Sequence, residues 1–482
     1  MIRLLCFWVM LMATNILLAE KVTISGLATG YEGKSVSIII FKDFLTKERQ
    51  VIAKSSVDEN GKFSLAADIE KIEYSLVKIG RISSIIYLQP GGNYSISFPL
   101  PDNKTGRSLD ETKVEMYFDS LEAYDINNLI LDYDYRYDYF VSKNMLILHK
   151  PEFKFQLDTF KQKITKVYKE IKVPFFIDYV YYSTAMLELM GDMENGQQMA
   201  KISVFEQYLR GRKIEYQHDK YMELFNEFYS EPLSNLSPEI NEKVLVAINE
   251  KASLKLLFDA IEKNSFTSNK NIRELILIKG LMENYYNKEY DPDNILIILD
   301  SIGNSGINEE NKAVAKSAYK KLTYLNKGFD APDFKLTTLK GDTISLSQFK
   351  GKYVYLSFWT TWSTSSVSEL KLYPGYRTRY KDEKKKCEPI VYISINMDEK
   401  KSDFLDFMKK HPEYDWYFLD GHSDNEILDL YQVKSMPTYY LIDEEGKFQQ
   451  APALRPSPNG TFKSIDETFH NIFWNKKRQG KC

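Results

Sequence analysis

Cysteine is the scarcest informative residue in this chain, with three in 482 residues, at Cys6, Cys387 and Cys482. None belongs to a Cys-x-x-Cys, so the sequence carries neither a paired-thiol centre nor a cysteine-rich zinc or disulfide framework. Histidine is also rare. The five histidines are scattered without metal-ligand spacing, so no metal and no cofactor is expected. A formal charge of −3 gives no electrostatic case for nucleic acid or an anionic membrane surface. Beyond the first 19 residues no apolar run reaches the ~20 residues of a membrane-spanning helix.

At the N-terminus Arg3 is followed by LLCFWVMLMATNILLA, ending in Ala19. This reads as a secretory signal peptide over residues 1–19, cleaved after Ala19. Cys6 lies near the start of the apolar run rather than just after it, which argues against lipidation. The mature chain then keeps Cys387, behind the charged stretch KDEKKK, and the terminal Cys482. Both read as incidental thiols, with a pairing between them or an intermolecular bridge through Cys482 as the alternative. Tyrosine (34) and phenylalanine (28) are abundant. Packing and interfaces are their expected use, and carbohydrate or peptide surfaces the alternative.

Three periodicities follow. Residues 20–104 alternate apolar and polar positions between recurring turns, including Asn60-Gly61, a hairpin signal, and Gln89-Pro90-Gly91-Gly92-Asn93. The pattern predicts a small antiparallel β sandwich or barrel. Residues 105–325 place apolar residues three and four apart, as in NEKVLVAINEKASLKLLFDAIEK, and predict an all-α region broken at prolines. Within it, Asp132 to Tyr139 alternate acid and tyrosine around Arg136. The expectation is tyrosines packed inward with solvated carboxylates, against a sugar-stacking or partner-binding surface. Residues 328–478 alternate strands and helices, which predicts an α/β layer structure.

In that last region YVYLSFW (Tyr353 to Trp359) reads as a buried strand and VSELKLYPGYRTRY as a helix, with Trp362-Ser363-Thr364-Ser365-Ser366 at their junction. Ser363 is placed to cap the helix. The free N–H groups there could also take an anion or a peptide carboxylate. A nucleophilic serine would need a base, and His411, His422 and His470 have no recognisable sequence relation to it.

With GFDAPDFKLTTLKGDTISLSQFKGKYVYLSFWTTW, the junction and Met436-Pro437-Thr438, residues 328–478 closely resemble the TlpA-like thioredoxin family of bacterial envelope proteins. The resemblance implies a thioredoxin-like domain with Pro437 cis. It puts the family's redox cysteines on Ser363 and Ser366, its buried carboxylate on Ser357 and its Gly-Pro on Thr364-Ser365. A thiolate is required for disulfide exchange and a serine hydroxyl stays protonated. The resemblance therefore implies a redox-inactive, exported, periplasmic binding or scaffold module with no catalytic residues. A groove lined by Trp359, Trp362, Ser363, Ser366, Met436 and Pro437 would take an unidentified envelope protein or peptide. The alternative is a thiol-disulfide oxidoreductase using Cys387 or Cys482. A third reading, a carbohydrate-associated envelope protein, rests on tyrosine content and the β region.

Overall fold

The computed structural model describes residues 19–101, 110–191, 197–234, 236–262, 265–382, 387–422, 425–458, 460–461 and 463–480. The signal-peptide expectation, Cys6 and Cys482 lie outside them.

The chain opens with β1 (Glu20–Leu27), β2 (Ser35–Phe41), β3 (Arg49–Ser56), β4 (Lys62–Ile69), β5 (Glu73–Ile79), β6 (Ile82–Leu88) and β7 (Asn93–Ser97). Two short strands follow, β8 (Thr112–Lys113) and β9 (Tyr117–Phe118). They form two sheets, ordered β4-β1-β7-β9 and β3-β2-β5-β6-β8. Alternating residues from both, such as Val22, Ile24, Leu65, Ile38, Val77 and Ile86, share one buried cluster. The Asn60-Gly61 turn forms, with Gly61 at φ 74° and Asp58 accepting the amides of Asn60 and Lys62. It is not a hairpin, however: β3 pairs with β2 and β4 with β1, so the turn carries the chain from one sheet to the other. The turn before Asn93 does the same between β6 and β7.

Helices follow: α1 (Ile126–Asn144), α2 (Pro151–Val167), α3 (Pro174–Gly191), α4 (Gln197–Val204) and α5 (Asp219–Phe228). The run continues with α6 (Pro238–Leu245), α7 (Leu254–Ala260), α8 (Lys270–Asn284), α9 (Pro292–Ser305) and α10 (Glu309–Thr323). The run with helical spacing over 241–263 does not form one helix. Ala252 takes a left-handed φ of 45°, and Ser253 caps α7 through the amide of Leu256. Helix α8 is buried from Ile272 to Leu281. Its buried Glu274 accepts from the Ile307 amide and from Asn311, which holds α8 against the start of α10. In α1 the 3.6-residue period divides the tyrosines. Tyr133 is buried and Tyr137 half-buried, whereas Tyr135 and Tyr139 face solvent. The inward-tyrosine expectation therefore holds for one side of the helix only. Nor are the carboxylates all solvated, because Asp134 is covered and receives the Tyr179 hydroxyl at 2.9 Å.

The last part comprises β10 (Lys335–Thr338), β11 (Thr343–Ser345), β12 (Tyr353–Trp359), α11 (Thr364–Leu370), α12 (Tyr373–Arg379) and β13 (Ile390–Asn396). It ends with α13 (Lys401–Lys410), β14 (Tyr417–Asp420), α14 (Ile427–Leu430), β15 (Thr438–Ile442), β16 (Phe448–Gln450) and α15 (Asp466–Arg478). The sheet order is β11-β10-β14-β13-β12-β15-β16, with β12, β13 and β14 parallel and β15 antiparallel to β12. The helix predicted from VSELKLYPGYRTRY splits into α11 and α12 between Leu370 and Tyr373, with Pro374 in the first turn of α12.

Charged contacts join the three parts. Asp429 in α14 receives Arg81 at 2.7 Å and also Lys78 of β5, and Lys54 of β3 reaches Glu426 at 2.6 Å. Glu48, between β2 and β3, accepts from Ser317 and Lys320 of α10 and from Lys42. Partial burial alone would raise the Glu48 carboxyl, but these three donors outweigh it and pull it from 4.5 down to about 2. A carboxyl depressed on folding stabilises the fold above its unfolded pKa. That contribution is lost as pH falls through the folded value. Replacing Glu48→Gln is expected to cost about 1–2 kcal/mol at pH 7. The gap between the two proteins in urea unfolding should stay full above pH 4.5 and close as pH falls towards 2.

Candidate functional site

Strand β12 is buried from Val354 to Trp359 and alternates its side chains between two cores. Val354, Leu356 and Phe358 face one, and Tyr355 and Trp359 the other. The strand ends where its neighbours also end, so residues 360–363 leave the sheet at its carboxyl edge. There Asp398, just past β13, accepts the Thr361 amide at 3.0 Å, and the Met397 amide donates to the Trp359 carbonyl at 2.9 Å. Burial raises the Asp398 carboxyl, opposed by hydrogen bonds from Asn396 and Thr361. Ser363 then adopts an extended backbone (φ −84°, ψ 106°), and its hydroxyl accepts the Ser366 amide at 3.2 Å, the N-cap of α11.

Pro437 is cis. Because Thr438 pairs with Phe358 in antiparallel register, Pro437 lies opposite the end of β12 and beside the loop that leads to Ser363. The structure therefore brings Trp362, Ser363, Met436 and Pro437 to one edge. Trp362 is 48% exposed there, and Met436 and Pro437 are half-buried.

Two expected groove residues do not reach the surface. Trp359 is fully buried, its ring 5.0 Å from Phe407, 5.7 Å from Phe418 and 5.9 Å from Phe404. Strand alternation turns it into the core under α13, away from Pro437. Ser366 is also buried on the inner side of α11, and its hydroxyl has no hydrogen-bond partner among the described residues. Of the six expected residues, Trp359 and Ser366 are therefore inside the domain.

Ser357 is a buried hydroxyl, 3.0 Å from Ser394, which in turn accepts Trp416 Nε1 at 2.9 Å. It belongs to a neutral polar pair between adjacent strands. His411 stands 3.0 Å from Glu413 and His470 packs beside Trp474. Neither is placed as a base for Ser363. Among the described residues no group of three or more His, Cys, Asp or Glu could hold a metal ion.

The incidental-thiol reading of Cys387 is corrected, because Cys387 is disulfide-bonded. It is nearly buried and forms a two-way backbone bridge with Asp382. That pair lies beside the end of α15, where Lys477 is 3.7 Å from Asp382. Cys387 also precedes β13, whereas the junction lies past the far end of its parallel neighbour. Seven residues at ~3.3 Å each separate the two ends by roughly 20 Å.

Sequence reading missed two further features near the junction. Glu369 of α11 is almost fully buried, bonded to Arg455 and to the Ser457 amide and hydroxyl. That arrangement follows a second cis bond, Ala451-Pro452. Asp398 was visible as the acid ending PIVYISINMD, but its contact with Thr361 depends on the register of β12 against β13.

A three-layered α/β unit with a cis-proline loop facing the strand-to-helix junction defines a thioredoxin-like domain. Residues 328–451 match the AhpC/TSA family. The thiol-disulfide oxidoreductase ResA of Bacillus subtilis is 37% identical over 123 residues, 26% of this chain and 65% of its own length. The thioredoxin-like protein YneN of the same organism is 31% identical over 130 residues, 27% of this chain and 73% of its own. A solved thiol:disulfide interchange protein from a Bacteroides species aligns at 22% identity over 32% of this chain and 90% of its own, with a TM-score of 0.26, too low to add to the sequence match. Through this domain the chain belongs to the thioredoxin-fold, thiol-disulfide oxidoreductase-like family. Among the described residues no helix is long and apolar enough to cross a membrane.

The two junction serines predict opposite responses. Ser363→Ala removes a cap and is expected to lower stability by about 1 kcal/mol. Ser366→Ala removes an unpartnered buried hydroxyl and should be neutral or stabilising by up to about 1 kcal/mol. Urea unfolding of the two variants beside the natural protein checks this.

Proposed function

We propose that the chain is an exported envelope protein whose thioredoxin-like domain, residues 328–478, does no disulfide exchange and serves as a peptide- or protein-binding or scaffold module. In this reading Ser363 and Ser366 occupy the redox cysteine positions of the relatives. Residues 20–104 form a sandwich and residues 105–325 a helical domain, and signal cleavage after Ala19 releases the mature protein to the periplasm.

One observation carries the proposal. The junction carries the hydroxyls of Ser363 and Ser366 and no thiol, and Ser363 is engaged in capping α11. A capped, protonated hydroxyl offers no nucleophile for a disulfide. What stays accessible is Trp362 beside Ser363, Met436 and the cis Pro437, an apolar and backbone-rich edge suited to an extended peptide. The names of the relatives favour thiol-disulfide oxidoreduction instead. For this chain that reading would need Cys387 or Cys482, and the position of Cys387, at the opposite end of the parallel strands from the junction, counts against it.

Disulfide reductase assays on residues 20–482 and on a Ser363→Cys/Ser366→Cys variant test the proposal. The natural protein should be inactive and the variant active. Activity in the natural protein that disappears on Cys387→Ser would overturn the proposal in favour of the oxidoreductase.

A further inference from the structure

A recess lies between β5 and β6 on one side and α1, α3 and α5 on the other. Its volume is about 780 Å³, within the roughly 300–1,000 Å³ of small-ligand sites. Its floor is a pair of carboxylates, each already holding a tyrosine. The Tyr87 hydroxyl donates to Asp219 Oδ2 at 2.7 Å, and the Tyr179 hydroxyl sits between both oxygens of Asp134 at 2.9 and 3.0 Å.

The charges do not balance. Asp134, Asp219, Glu223 and Glu227 line the recess against Lys47 and Lys220. The Asp219 side chain is 13% exposed, and its second oxygen, Oδ1, has no hydrogen-bond partner among the described residues, with His218 Nδ1 3.7 Å away. The nearby His218 does not supply the missing charge. Its Nδ1 accepts the Tyr221 amide, its Nε2 faces the Phe175 carbonyl, and burial lowers it to about 4, so it is neutral at pH 7. Burial also raises Asp219, and it raises Asp134 to about 6. For both carboxylates desolvation outweighs the attraction of the nearby Lys220.

The wall already receives one ammonium group. Lys220 Nζ lies 5.4 Å from the centre of the Tyr179 ring and 2.9 Å from Glu223, an arrangement of aromatic face plus carboxylate. A neutral polyol would find acceptors here but would leave the excess negative charge in place. We infer that this recess binds an alkylammonium group, supplied either by a free amine or by a lysine side chain of a peptide, with Asp134 and Asp219 as its counter-ions.

Isothermal titration of residues 20–482 tests this with three probes: 1,5-diaminopentane, the blocked peptide acetyl-Ala-Lys-Ala-amide, and the neutral 1,5-pentanediol. Saturable binding of at least one amine, with none of the diol, is expected, and the binding arm identifies the source. Asp134→Asn should weaken binding at least tenfold. Lys220→Gln removes the resident competitor and should tighten it several-fold, a change that loss of folding cannot produce. Binding of the diol as strong as that of the amines, no binding of either amine, or unchanged affinity in Lys220→Gln would overturn the inference.

Discussion

The parallel pairing of β12 with β13 is the constraint on which the junction depends. Seven residues of each strand pair in register, and β13 is buried throughout. Parallel strands buried on both faces cannot slip by one residue without exchanging their two cores. That register fixes where β12 stops, hence where the chain turns into α11. It also puts Asp398 under the Thr361 amide, and the antiparallel partner β15 sets Pro437 opposite the same end. The position of the serines is therefore decided by the sheet.

How much of this was legible depended on how local the cause was. Ser363 as a cap and Pro437 as a cis residue could be read because each acts within a few residues of itself. The break at Ala252 was hidden, since nothing in an apolar run marks a left-handed alanine. Asn60-Gly61 announced its turn correctly, but not which sheet each flanking strand would join. Trp359 was misplaced because the family likeness pointed to a surface edge while strand alternation pointed to the core. The bonded state of Cys387 and the contact of Lys54 with Glu426 join residues far apart in sequence, and only the folded chain shows them.

The tyrosine excess also acquires a structural account. Hydroxyls of Tyr355, Tyr376 and Tyr431 donate to the carbonyls of Leu454, Pro456 and Pro332 at 2.6–2.8 Å, across 80 to 99 residues of sequence. Tyr324 reaches Leu430 in the same way from the end of α10. The rings of Tyr355, Tyr376 and Tyr431 fill cores while their hydroxyls satisfy distant carbonyls, which suits a chain with few cysteines available as staples.

The contact of Asp429 with Lys78 and Arg81 has a consequence for ancestry and engineering. Helix α14 is four residues long and runs almost directly into the cis-proline loop, so the N-terminal sheet grips the segment that shapes the junction's edge. The C-terminal domain is thus not a free cassette. A chimera that joins it to another leading region loses that grip unless the new partner brings its own cations to the acid at position 429. A change at Asp429, Lys78 or Arg81 therefore acts on the N-terminal sheet and on the junction's edge at once.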